Sequence, residues 1–171
     1  KLPGNKQIEK FIANSFKNIQ INTTHIIYFD FNDFKPFNDI YGFRQGDRAI
    51  LIFSELLQKR YPKNSFIAHI GGDDFFVGLT DFAFEDVFEL TLDIQNEFKY
   101  SAKNLYSNED KELGYIVSKD RFGTTRNFNL LSVSCAIVEI NCKSNILNFD
   151  DTLNIMKKES KSSKEPVYKV L

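Results

Sequence analysis

The sequence has no tryptophan, only two cysteines, and no apolar run near the roughly 20 residues that a membrane-crossing helix needs. The last absence excludes a spanning segment of helical type, and no direct membrane contact is expected. Cys135 and Cys142 are too few for a disulfide framework and lack the paired spacing of a zinc site. Two reduced thiols in a cytosolic protein are expected, with Cys135 packed in a strand. An excess of one charge is also missing: 22 Lys and Arg face 23 Asp and Glu, a net charge of −1. No global positive field exists to hold a nucleic-acid backbone, and no nucleic-acid partner is expected. The opening KLPGNKQIEK does not begin with Met and lacks the apolar core of a signal peptide. Residues 1–171 are therefore expected to be a single domain cut from a longer chain. No internal repeat, low-complexity stretch or second domain is visible.

Phenylalanine is abundant, at 18 of 171 residues, within a composition that is 42% hydrophobic and 26% charged. That balance excludes wholesale disorder and supplies a core of real size. Along the chain, Pro3-Gly4-Asn5 reads as a turn with Asn5 as N-cap. Ile8, Phe11, Ile12 and Phe16 then recur at helical spacing. THIIYFDF (24–31) reads as a buried strand, and the polar, aromatic stretch after it as turn-rich. Residues 47–61 pattern as an amphipathic helix N-capped by Asp47 and stopped by Pro62. SFIAHI and DDFFVGL flank Gly71-Gly72 as two strands of a tight hairpin. A long helix spans 84–106, and 107–127 reads as a hairpin-like arm. FNLLSVSCAIVEI (128–140) is the strongest strand signal, followed by a helix over 149–161 and an edge strand over 165–170. The order predicts an α+β fold. Its expected core is a mostly antiparallel βαββαβ sheet of ferredoxin-like or palm type, with helices packed on it.

Two acidic positions stand out. Asp30 ends the first strand, and Asp73-Asp74 follow the glycine pair. In a βαββ sheet these ends can come together. Carboxylates that close repel each other unless a cation lies between them. A hard divalent ion with oxygen ligands answers that need and suits phosphoryl or nucleotidyl transfer. Taken singly, each of these aspartates is better explained as a solvated turn cap; the paired arrangement around Gly-Gly is what favours the metal reading.

GGDDF at 71–75 resembles the signature of GGDEF domains, the diguanylate cyclases of bacterial signalling. The segment DFNDFKPFNDIYGFRQGD (30–47) is similar to the same family's pattern upstream of it, and Leu2-Pro3-Gly4-Asn5, LSVS (131–134) and TLNIMKK (152–158) resemble further stretches. The resemblance implies a nucleotidyl-cyclase fold with 107–127 as an insertion. It also implies a bacterial, cytoplasmic setting and a reaction in which two GTP become cyclic di-GMP and two pyrophosphates across a face-to-face dimer. It assigns Asp30, the Phe31 carbonyl and Asp73 to Mg²⁺ or Mn²⁺, and Asp73, Asp74 and Lys35 to catalysis. Asn38 and Asp47 fall on the pair that reads the guanine edge, where amide and carboxylate complement its donors and acceptor. Phe31, Phe34, Gly71 and Gly72 line the nucleotide, and Lys35, Lys157 and Lys161 meet its phosphates. Without that resemblance the three lysines read as solvated surface cations, and Asn38 and Asp47 as turn caps.

The sequence departs from the family in four places. Asp74 replaces the signature's Glu, a methylene shorter. His69 stands where Arg is usual, and Asn32 where an acid is common. Pro62 and Ser65 occupy the positions of the product-binding Arg-x-x-Asp motif, so feedback inhibition of that type is not expected. The HIGGDDFF string resembles a branch that follows cyclic di-GMP phosphodiesterase (EAL) domains. The implied alternatives are a cyclase of weakened or lost activity and a GTP-binding module that regulates an adjacent EAL or sensor domain. A nucleotide-polymerising palm with the same Gly-Gly-Asp-Asp fits the 38–47 pattern less well. A domain kept only for dimerisation would show a normal fold without GTP binding.

Overall fold

A computed structural model describes residues 2–120 and 122–171. Helix α1 (Asn5–Lys17) starts one residue earlier than expected at its cap: Gly4 is the N-cap, and its N–H donates to Gln7 Oε1 at 3.2 Å. Strand β1 (Thr24–Asn32) is followed by two helices, α2 (Phe34–Tyr41) and α3 (Phe43–Arg60). The sequence reading missed α2. Asp33 N-caps it in a left-handed conformation, at φ 59°, and Gly42 separates the helices at φ 81°. Because α3 starts at Phe43, Asp47 lies inside its first turns and is not its cap.

Strands β2 (Phe66–Gly71) and β3 (Asp74–Thr80) form the expected hairpin. Gly71 pairs with Asp74, so Gly72 and Asp73 make the turn itself, with Gly71 at φ 140° and Gly72 at φ 58°. Those angles are open to glycine and strained for other residues. Helix α4 (Phe84–Ala102) gives way to a 3₁₀ turn at Lys103–Leu105, earlier than expected. The arm is real: α5 (Asn108–Leu113), then β4 (Tyr115–Lys119) paired antiparallel with β5 (Thr125–Asn129) as a separate two-stranded sheet. It takes Phe128 and Asn129 from the strand expected over 128–140. That strand, β6, runs only from Ser132 to Ile140. Helix α6 (Phe149–Ser160) and β7 (Val167–Val170) complete the chain.

The main sheet has the order β2-β3-β1-β6-β7. Its first four strands are antiparallel and carry the βαββαβ pattern, while β7 pairs parallel to β6 at the edge. Alternation along β1 sorts the core into two layers. Ile27, Phe29 and Phe31 pack with Phe53, Ile94 and Phe98 of α3 and α4. Ile26 packs on the other face with Ile8, Phe149 and Met156 of α1 and α6. The phenylalanines of the first layer interlock: Phe53 makes edge contacts with Phe29, Phe31, Phe75 and Phe98, ring centroids 4.9–5.4 Å apart. Such contacts add to the burial that stabilises the sheet and hold the end of β1 in place.

Candidate functional site

Asp30 is the last even-numbered residue of β1 before its final pair, on the α1–α6 face, and lies in register with Asp74 of β3. Asp73 comes from the turn, whose carbonyl accepts from the Phe31 N–H at 3.3 Å. These backbone links bring the three carboxylates together: one oxygen from each of Asp30, Asp73 and Asp74 lies within 4.8 Å of the others. All three are half-buried. Burial raises the Asp73 pKa above its usual value, and repulsion from Asp30 and Asp74 adds to it. A backbone hydrogen bond and Lys161 pull the other way. The donor set is entirely hard oxygen, which suits Mg²⁺ or Mn²⁺ and not a softer metal.

Two lysines of the α6 end answer this negative charge. Lys161 Nζ lies 2.7 Å from Asp30 Oδ1 and donates to the Phe31 carbonyl at 3.0 Å and Asn32 Oδ1 at 3.2 Å. Lys157 Nζ sits 3.5 Å above the centroid of the Tyr28 ring. Burial lowers the Lys157 pKa, while Asp74 and Asp30 oppose that shift. Tyr28 is itself buried, and burial followed by its hydrogen bond to Asp74 raises its pKa. Asn32 is held by the two serines across from it: it donates to Ser132 Oγ at 3.0 Å and accepts from Ser134 Oγ at 2.7 Å.

Asp30 and Asp73 of the triad line a cleft of about 700 Å³. Asp30, Phe31, Phe34, Lys35, Asp73 and Lys161 are among the expected site residues that line it. The Lys35 ammonium pairs with Asp39 on its own helix at 2.7 Å. Gly71 and Gly72 stay exposed beside it in the hairpin turn. Asn38 and Asp47 do not line the cleft. Asn38 instead packs beside Phe34 against Gly46, where α2 and α3 cross, and Asp47 is the next residue of α3. A Cβ on Gly46 would fall 2.0 Å from Asn38 Oδ1 and 3.2 Å from Phe34 Cζ, so only glycine allows this approach. Asn38 Oδ1 is buried without a hydrogen-bond partner, and Asp47 is exposed on α3.

Several residues of the cleft were not singled out from the sequence. Asp33, at the start of α2, has its pKa raised by burial, against a backbone hydrogen bond from Asn129 and the charge of Lys161. The arm supplies the opposite wall, with Lys119, Arg126 and Phe128. Asp120 shapes the arm's loop by accepting from the Phe122 and Thr124 N–H groups and pairs with Arg126 Nε at 2.8 Å. No local motif marks these residues. Only the folding back of β4 and β5 places them.

Comparison with known proteins agrees with this architecture. The sequence profile "Diguanylate cyclase, GGDEF domain" matches residues 1–120. The signaling protein YkoW of Bacillus subtilis (strain 168) is 36% identical over 70 residues, which are 41% of this chain and 9% of that protein's length. The chain thus corresponds to a small part of that relative. Among solved structures, the GGDEF domain of DgcB from Caulobacter crescentus, in complex with c-di-GMP, superposes with a TM-score of 0.74 at 18% identity, covering 98% of this chain and 91% of that one. The active GGEEF domain of a diguanylate cyclase from Vibrio cholerae gives 0.69 at 16% identity, covering 98% and 97%. At these identities the superpositions speak for the fold, and the profile match over most of the chain speaks for the family. With its Gly-Gly-Asp-Asp hairpin presenting two of three clustered carboxylates, this chain belongs to the GGDEF domain family of diguanylate cyclases.

Proposed function

We propose that the domain binds GTP together with Mg²⁺ or Mn²⁺ at the carboxylate cleft and is built for the conversion of two GTP to cyclic di-GMP and two pyrophosphates. The observation that carries the reading is the approach of Asp30, Asp73 and Asp74 to within 4.8 Å, with Asp30 and Asp73 lining a cleft large enough for a nucleotide. Asp30, Asp73 and the Phe31 carbonyl would hold the ion. Bound there, it supplies charge neutralisation for the polyphosphate and acidifies an attacking hydroxyl. Lys35, Lys157 and Lys161 offer cations to the phosphates, and Phe34 gives an apolar wall. Asn38, packed against Gly46, and Asp47, the next residue of α3, would read the guanine edge. Attack of one GTP on another requires two such domains face to face.

A second reading is a GTP-binding regulatory module that controls an adjacent EAL or sensor domain in a longer chain, with little or no turnover. One observation favours it. Asp74 has a shorter side chain than the signature's Glu and spends its carboxylate on Tyr28. Misplacement of a reacting group by about 1 Å can cost on the order of 100-fold in rate.

Incubation of the chain at high concentration with GTP and Mg²⁺ or Mn²⁺ separates the two readings. Chromatography follows cyclic di-GMP, and calorimetry follows GTP binding. Both readings expect metal-dependent GTP binding, and only the first expects product. Asn38→Ala and Asp47→Ala should each weaken GTP at least about tenfold, the usual scale for leaving a polar edge unpaired. Unchanged affinity in both variants rejects the guanine assignment.

A further inference from the structure

Lys161 follows the last residue of α6, and its ammonium meets three oxygens at once: Asp30 Oδ1 at 2.7 Å, the Phe31 carbonyl at 3.0 Å and Asn32 Oδ1 at 3.2 Å. Two of these belong to the groups proposed to ligate the divalent ion. Small divalent ions take oxygen ligands at about 2 Å. An ammonium already bonded to the same groups would stand close beside a dication, in a site shielded enough to make that repulsion count. The side chain also has somewhere to go. It lines the carboxylate cleft on one side and, on the other, a polar cavity of about 600 Å³ with Asn129, Ser132 and Ser163 in its wall. Lys157 is placed differently: its ammonium rests on the Tyr28 ring.

We propose that Lys161 is an internal cation of the metal centre, which holds the Asp30 and Phe31 oxygens until a divalent ion arriving with a nucleotide displaces it onto the phosphates. The inference rests on the metal reading above and adds an exchange to it. Alone, the ion must compete with a tethered ammonium. With a nucleotide, the displaced ammonium gains a new anionic partner, so ion and nucleotide bind better together than either does alone. Lys161 thereby sets the preference of the site for the metal–nucleotide complex over the free metal.

The test is Mn²⁺ binding, read from the electron paramagnetic resonance signal of free Mn²⁺, with and without an α,β-methylene analogue of GTP that cannot turn over. Lys161→Met should bind Mn²⁺ alone about tenfold more tightly than the native chain, the scale expected when one like charge is removed from beside an ion. The same variant should bind the Mn²⁺–analogue complex more weakly. Lys161→Arg keeps the charge and should keep the native pattern, and Asp30→Asn should lose Mn²⁺ in every background. Opposite shifts for metal and for nucleotide complex support the exchange, whereas a packing role for the side chain would move both the same way. Asp30-dependent Mn²⁺ binding that is unchanged or weakened in Lys161→Met overturns this inference and leaves the metal reading standing. Absence of saturable Mn²⁺ binding in the native chain and Lys161→Met alike overturns both.

Discussion

His69 stands where the family's sequence leads one to expect arginine, and its ring has taken up work of its own. Nε2 lies 2.9 Å from the Gly72 carbonyl, and the ring stacks on Phe75 with centroids 4.6 Å apart. It therefore braces the turn that presents Asp73. A hydrogen bond of this kind is worth about 0.5–1.5 kcal/mol net. His69→Ala should weaken Mn²⁺ binding by about two- to tenfold and lower Tm by a few degrees. Titration of the variant and its thermal melt provide the check, and full metal affinity in His69→Ala would show that the turn needs no brace. Asp74 illustrates the converse. Its carboxylate reaches the triad, yet it also serves Tyr28, a link invisible in the sequence because Tyr28 and Asp74 meet only through strand pairing.

Among the elements, α2 is the one whose absence from the sequence reading matters most, since it carries Asn38 and stacks Phe37 against Tyr41. Pro36 and the aromatic residues around it obscured an eight-residue helix that begins at a strained Asp33. The consequence is sharpest at Gly46 in α3. An exposed helical glycine gains about 1 kcal/mol on replacement by alanine. Here the added methyl would run into Asn38 Oδ1 at 2.0 Å, and overpacking of this type costs about 1–3 kcal/mol. Gly46→Ala should therefore destabilise the domain in urea unfolding and cut GTP affinity more than Mn²⁺ affinity. A stabilised variant would mean that the α2–α3 crossing gives way freely. The βαββαβ sheet and the carboxylate pairing were legible in the sequence because strand alternation and the Gly-Gly turn are local signals. The 128–140 run was not divided correctly, since Phe128, Leu130 and Leu131 look like strand interior while the chain bends there to join the arm. Tyr106 marks that bend by accepting the Leu131 N–H at 2.8 Å, a contact that only the tertiary structure reveals.

At the scale of the whole molecule, the sheet has a charged end and a buried polar end, and they respond to pH with opposite sign. Opposite the carboxylate cleft, His25 on β1 is 1% exposed and faces Glu139 of β6, with Nε2 and Oε2 3.4 Å apart. Tyr168 of β7 and Asn141 also bond Glu139. Burial lowers the His25 pKa below 6.5, despite the pull of Glu139. The unfolded chain therefore takes up a proton on His25 before the folded one does. The stability tied to neutral His25 is complete above 6.5 and is lost as the pH falls from there through its folded pKa. Asp73 behaves the other way. Burial raises its pKa above 3.8, so its contribution is full below that value and is lost as the pH rises through the folded pKa. Acidification first weakens the His25 end, at no more than about 1.4 kcal/mol per pH unit for a single proton. Further down, protonation of Asp73 offsets part of the loss. Urea unfolding between pH 7.5 and 5.5, about one unit either side of the ordinary His pKa, should show stability falling with acid in the native chain and a flatter profile in His25→Gln. Saturating Mn²⁺ should remove the compensation at lower pH, because an ion among the three carboxylates favours their ionised form. An identical acid slope in His25→Gln would place the proton uptake elsewhere.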